Sequence, residues 1–112
     1  MSLYLPHPER AVVDLEKIRD YCLNFSHSLG RHKARVFVSA LGITSSKAAW
    51  LRALFLQAAR DREANPGAVD LYGQRYSIDI AIDGPGGSAT VRTTWIVRTS
   101  EDFARLTSCY VL

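Results

Sequence analysis

Between Tyr76 and Ile82 the chain alternates strictly, with Tyr76, Ile78, Ile80 and Ile82 apolar and Ser77, Asp79 and Ala81 polar or small between them. A stretch of period two buries one face as a strand, which commits this part of the chain to a sheet with one covered side. The turn cluster Asp83-Gly84-Pro85-Gly86-Gly87 follows, and Ala89 to Val97 then reads as the returning strand of an antiparallel hairpin. Val91, Trp95 and Val97 share one face of that strand, and Arg92, Thr94 and Ile96 the other. After a polar turn at Ser100 to Asp102, a last strand from Arg105 to Leu112 is expected to set Leu106, Ser108 and Tyr110 against Arg105, Thr107 and Cys109.

Upstream of the hairpin the period is helical. Leu15, Ile18, Tyr21 and Cys22 predict a short amphipathic helix from Asp14 to Leu23, with Asp14 as its cap. Ala34, Phe37, Val38 and Leu41 predict a second from Arg31 to Leu41, closed by Gly42. A third, from Ser46 to Arg62, has N-cap candidates in Thr44-Ser45-Ser46 and an apolar stripe of Ala49, Trp50, Ala53, Leu54 and Ala58, and the loop Asn65-Pro66-Gly67 ends it. Pro6 and Pro8 make residues 1–10 an irregular lead-in. Helices followed by antiparallel strands give an α+β fold: three N-terminal helices packed on one face of a three- or four-stranded antiparallel sheet, with the opposite face open. At 112 residues this is one domain with one core. Phe37, Leu54, Ile78, Ile80 and Trp95 are expected in that core, and Trp50 with them.

Charge is uneven along the chain. No acidic residue lies between Asp20 and Asp61, where Arg31, Lys33, Arg35, Lys47, Arg52 and Arg60 supply six positive charges. The rest of the chain carries eight basic and eleven acidic residues. A local positive region calls for an anionic partner, nucleic acid or a phosphate ligand ahead of a membrane, and nothing in it implies DNA specificity. No apolar run is long enough to span a bilayer, and the early Glu9 and Arg10 are unlike a signal peptide, so the cytoplasm is the expected location. Cys22 and Cys109 stand among apolar neighbours without metal or redox spacing and are expected as buried free thiols.

The basic region is densest at His27-Ser28-Leu29-Gly30-Arg31-His32-Lys33-Ala34-Arg35. Gly30 precedes the helical run, so Arg31, His32 and Lys33 fall on its first turn, where unpaired N–H groups and the helix dipole also favour an anion. Gly30, Arg31, His32 and Lys33 are therefore the candidate phosphate-binding residues; the competing use of such a run is a solvated helix face.

The segments Asp20-Tyr21-Cys22-Leu23-Asn24, His27, Gly30, Lys33-Ala34, Phe37 and Leu41-Gly42 resemble the front half of a bacterial domain family of unknown function. Tyr72-Gly73, Val91-Arg92-Thr93-Thr94-Trp95-Ile96 and Arg105-Leu106-Thr107-Ser108-Cys109-Tyr110 match its back half in order, so the resemblance covers residues 12–111. Members occur at the C-termini of polymorphic toxins and as small stand-alone proteins, some encoded beside a small partner. The resemblance implies a toxin domain of the barnase-like ribonuclease type, with a small immunity or antitoxin-like protein as partner. Ser28, Thr94 and Ala104 depart from the family pattern, which commonly has proline, a small residue and proline at these places.

Metal-independent RNA cleavage needs a proton acceptor for the 2′-hydroxyl, a donor for the leaving oxygen, and cations for the phosphorane charge. His27 is the candidate for proton transfer, Lys33, Arg92 and Arg105 for the charge, and Thr107 and Tyr110 for hydrogen bonds to the ribose or phosphate. His27 has a competing use as a structural loop histidine, and Arg92 and Arg105 as partners of Asp79 and Glu101. No metal motif and no cofactor motif accompanies them, so neither a metal nor a cofactor is expected. The alternative function is a non-catalytic interaction module, a degenerate toxin or partner-binding subunit, docking an acidic protein through the same basic face.

Overall fold

The computed structural model describes residues 3–28 and 30–112; Met1, Ser2 and Leu29 lie outside it. Three helices precede a four-stranded antiparallel sheet. Helix α1 (Leu15–Lys17) continues as a wide π turn over Ile18–Cys22, α2 is Arg31–Leu41, and α3 is Ala48–Asp61. Strands β1 (Asn65–Asp70), β2 (Gly73–Gly84), β3 (Gly87–Arg98) and β4 (Ala104–Val111) pair in sequence order.

The period-two pattern sorts the hairpin as expected. Tyr76 pairs with Trp95, Ile78 with Thr93 and Ile80 with Val91 on the face covered by the helices, while Asp79 pairs with Arg92 and Ser77 with Thr94 on the other. Trp95, Phe37 and Phe55 are the largest fully buried side chains. The Trp95 indole N–H donates to Thr93 Oγ1 (2.8 Å), whose own hydroxyl donates to the Ile78 carbonyl (2.8 Å), so the one buried polar side chain among the described residues is satisfied on both sides. Gly42 closes α2 at φ 68°, and the neighbouring Leu41 carbonyl accepts the Gly86 N–H (2.9 Å), which docks the hairpin turn onto the end of that helix.

Several expectations are corrected. Asp14 precedes α1 without a side-chain capping bond, and the N-cap position of the 3₁₀ turn Ser45–Lys47 ahead of α3 also lacks one; Thr44 instead shares a hydrogen bond with Ser46. The buried stripe of α3 is Ala48, Leu51, Phe55, Ala58 and Ala59, so Trp50 is 40% exposed and Leu54 only half-buried. Five alanines around the helix blur the sequence signal for its phase. Asn65-Pro66-Gly67, expected as a loop, begins the exposed edge strand β1, whose register shifts between Pro66 and Val69; proline is tolerated at an edge because its missing N–H would face outward. The lead-in is irregular as expected, apart from a 3₁₀ turn over Pro8–Arg10, and is also packed: Leu5 is buried and the Leu3 carbonyl accepts the Ala64 N–H (2.8 Å), while just beyond it Val13 is buried and Val12 forms a parallel bridge with Arg105.

The correction that bears on function is in β4. Leu106 lies opposite Trp95 but Ser108 lies opposite Thr94, so Thr107 is the extra residue of a β-bulge. The alternation changes phase there. Leu106 and Cys109 are both buried, and Tyr110 comes to lie opposite Arg92 on the uncovered face, contrary to the expected grouping of Leu106, Ser108 and Tyr110.

Candidate functional site

The π turn, the start of α2 and the bulged strand β4 meet around Lys33. Its Nζ donates to Ser108 Oγ (2.8 Å) and Tyr21 Oη (3.4 Å), and lies 4.8 Å from the Tyr21 ring centroid and 5.8 Å from that of Tyr110. The half-buried ammonium thus lies over two aromatic faces, whose quadrupoles attract a cation.

His27 contacts the same tyrosine. The two rings stand 4.7 Å apart in a T-shaped contact at 76°. The turn that carries His27 is tied down locally: the Asn24 side chain accepts the Ser26 N–H (2.8 Å), the Asn24 carbonyl accepts the His27 N–H (3.2 Å), and the His27 carbonyl accepts the Arg31 N–H (2.9 Å). His27 Nδ1 accepts the Gly30 N–H (3.1 Å), which in the neutral ring leaves the proton on Nε2. Gly30 is required by space, since a Cβ there would sit 1.9 Å from the Tyr21 carbonyl oxygen.

Arg92 and Asp79 form a bidentate pair on the uncovered sheet face (2.8 and 3.0 Å). The guanidinium holds the Asp79 carboxyl below its usual range, and Asp79, with a smaller contribution from Tyr110, raises the Arg92 guanidinium further. Thr107 shares a 2.7 Å hydrogen bond with Thr94 beside them. Arg75, Ser77, Arg92, Thr94, Thr107 and Tyr110 line a depression of about 430 Å³ on this face. Thr107 also borders a second depression, of about 420 Å³, together with Tyr21 and Asp20.

Of the candidate residues, His27 and Lys33 both contact Tyr21, Lys33 also lies near the Tyr110 ring, Tyr110 is opposite Arg92 across β3 and β4, and Thr107 borders a depression with Tyr21. Arg105 lies five residues before Tyr110, a separation of about 15 Å along a strand. It is held bidentately by Glu101 (2.9 and 2.7 Å) and stacked on Phe103. Arg31 and His32 are exposed at the start of α2, while Lys33 turns inward toward β4. The Gly30 and Arg31 N–H groups are used within the His27 turn. Nothing in the chemistry of Tyr21 or Ser108 marks them in the sequence, since an aromatic in a helical stripe reads as core and a serine in a strand reads as surface; their place in the resembling segments is the available signal.

Cys22 and Cys109 are buried free thiols, with Cys22 Sγ 3.9 Å from Ser108 Oγ. Hydrogen bonding with Cys109 lowers the Cys22 thiol, aided by Ser108 and the charge of Lys33, while the same contact and burial push Cys109 up. Among the described residues no three His, Cys, Asp or Glu side chains gather to hold a metal ion, and no helix is long and apolar enough to cross a membrane.

No curated protein matches the chain. Among solved structures, it is similar to a chain of a contact-dependent growth inhibition toxin–immunity protein complex from Klebsiella pneumoniae 342. The identity is 23% and the TM-score 0.67, over 90% of this chain and 99% of that one, which establishes a shared fold. The family match starts at residue 4 and so takes in the packed lead-in: with residues 4–112 matching its model, the chain belongs to the family of domains of unknown function DUF6883.

Proposed function

We propose that this domain is a metal-independent ribonuclease-like toxin domain acting on RNA. The observation that carries the reading is the gathering of an imidazole, His27, and an ammonium, Lys33, around one tyrosine, with the Tyr110 ring 5.8 Å from the ammonium and Thr107 on the same depression as that tyrosine. In this reading Lys33 binds the scissile phosphate, and its charge is needed most as the phosphorane forms. His27 exchanges the proton with the ribose 2′-hydroxyl or the leaving oxygen, Thr107 and Tyr110 orient the sugar or non-bridging oxygens, and Arg92 contributes charge from its pair with Asp79. Arg105, held by Glu101 and five residues along the chain from Tyr110, has no part in this reading. Exposed Arg31 and His32 then meet flanking phosphates.

The structural neighbour supports a toxin setting and a small immunity-like partner. That neighbour comes from a complex of two proteins, which also supports the second reading, in which the exposed basic residues of α2 dock an acidic protein without catalysis. Incubation with total RNA and with tRNA in EDTA separates the two. The ribonuclease reading predicts cleavage by the wild type and a loss of about 10²–10⁴-fold in His27→Ala and Lys33→Met, both still folded. An intact RNA pool after incubation with folded wild-type protein contradicts it.

A further inference from the structure

Tyr21 makes more contacts to the proposed catalytic groups than a core residue needs. Its hydroxyl and ring both meet Lys33 Nζ (3.4 Å, and 4.8 Å to the centroid), and the same ring meets the His27 imidazole at 4.7 Å. The backbone repeats the arrangement: the Tyr21 carbonyl accepts the Asn24 N–H (3.4 Å) and occupies the space a Cβ at Gly30 would need, so the His27 turn is seated against it. Tyr21 owes this position to the π turn, whose Leu23 N–H bonds back to the Ile18 carbonyl (2.9 Å). Such turns insert one residue into a helix and re-aim those that follow. Lys33 has a long flexible side chain, and a cation that must meet a phosphate at a fixed place gains from having that freedom removed before substrate arrives.

Resting on the ribonuclease reading above, we propose that Tyr21 is the positioning residue of this site: one side chain fixes the Lys33 ammonium and the His27 imidazole relative to each other. Its role is to hold them and not to touch the RNA. The ring carries most of the effect because both groups contact it, and the hydroxyl adds a single 3.4 Å contact to Lys33, which Ser108 already holds more closely.

The test compares Tyr21→Phe with Tyr21→Leu. Tyr21→Leu retains apolar bulk and loses the ring, and is expected to lower kcat on RNA by roughly 10²-fold with little change in KM, the usual scale for misplaced catalytic groups. Tyr21→Phe is expected to recover most of that loss. Equal kcat in wild type and folded Tyr21→Leu, or equal losses in the Leu and Phe variants, would overturn the proposal. A cycle that needs no catalysis separates its failure from that of the ribonuclease reading. The His27 ring-proton resonances are recorded with and without Lys33→Met, first with Tyr21 present and then in Tyr21→Leu, or in Tyr21→Met should the Leu variant not fold. Coupling through Tyr21 predicts that Lys33→Met moves these resonances with Tyr21 present and has largely lost that effect without it. The same movement in both backgrounds would overturn the positioning role whether or not the protein cleaves RNA.

Discussion

Gly30 shows how closely the His27 turn is fitted to the π turn. A methyl group there would meet the Tyr21 carbonyl at 1.9 Å, and both contacting segments are backbone, so the turn itself must move. Gly30→Ala is therefore expected to destabilise the domain by about 1–3 kcal/mol, the usual cost of overpacking, read by urea denaturation. It should also lower RNA cleavage more than a surface change of equal stability cost. Asp79 offers a test by pH. Its carboxyl is lowered in the fold by Arg92, so its contribution to stability is present above the ordinary carboxylate range and is lost as pH falls through the lowered value. Both partners are about a third exposed, so solvent screens the pair and its contribution is small. Melting curves of wild type and Asp79→Asn should differ at neutral pH and converge in acid; a difference that persists at the acid end would show that the ion pair is not its source.

At the scale of elements, the hairpin and β4 form the platform, and Thr93 tests how it is held. Thr93→Val removes the acceptor of the buried Trp95 N–H while keeping shape, so a loss of about 1–3 kcal/mol in urea denaturation is expected; an unchanged midpoint would mean that the indole finds another partner. The β2–β3 hairpin was legible because Ile78, Ile80 and Ile82 alternate with small or polar residues and a glycine-rich turn follows. The bulge in β4 was not, because Thr107 and Ser108 are both small and polar and nothing in their chemistry marks which one is extra. That one residue decides which side chains reach the uncovered face. His27 and Lys33 stand out in the sequence by charge and spacing. Their common contact with Tyr21 does not, because it depends on a π turn that apolar periodicity cannot reveal. Arg105 is drawn off by Glu101, a local pairing that competes with any catalytic use.

For the whole molecule, the helices cover one sheet face and bring the His27 turn and Lys33 to the edge strand β4, while Arg92, Thr94 and Tyr110 occupy the other face. An RNA strand lying across that edge would meet both groups at once. Because the basic residues of the 21–60 stretch lie mostly on exposed helix faces, binding should weaken steeply with added salt, as expected when phosphate contacts release counterions. The measurement that reaches the central claim most directly is the chemistry of the RNA ends produced in EDTA by wild type and by His27→Ala. Attack by the 2′-hydroxyl, with His27 exchanging the proton, predicts 2′,3′-cyclic phosphate and 5′-hydroxyl ends from the wild type and almost none from His27→Ala. Ends bearing 5′-phosphate and 3′-hydroxyl, or equal cleavage by both proteins, would contradict the account.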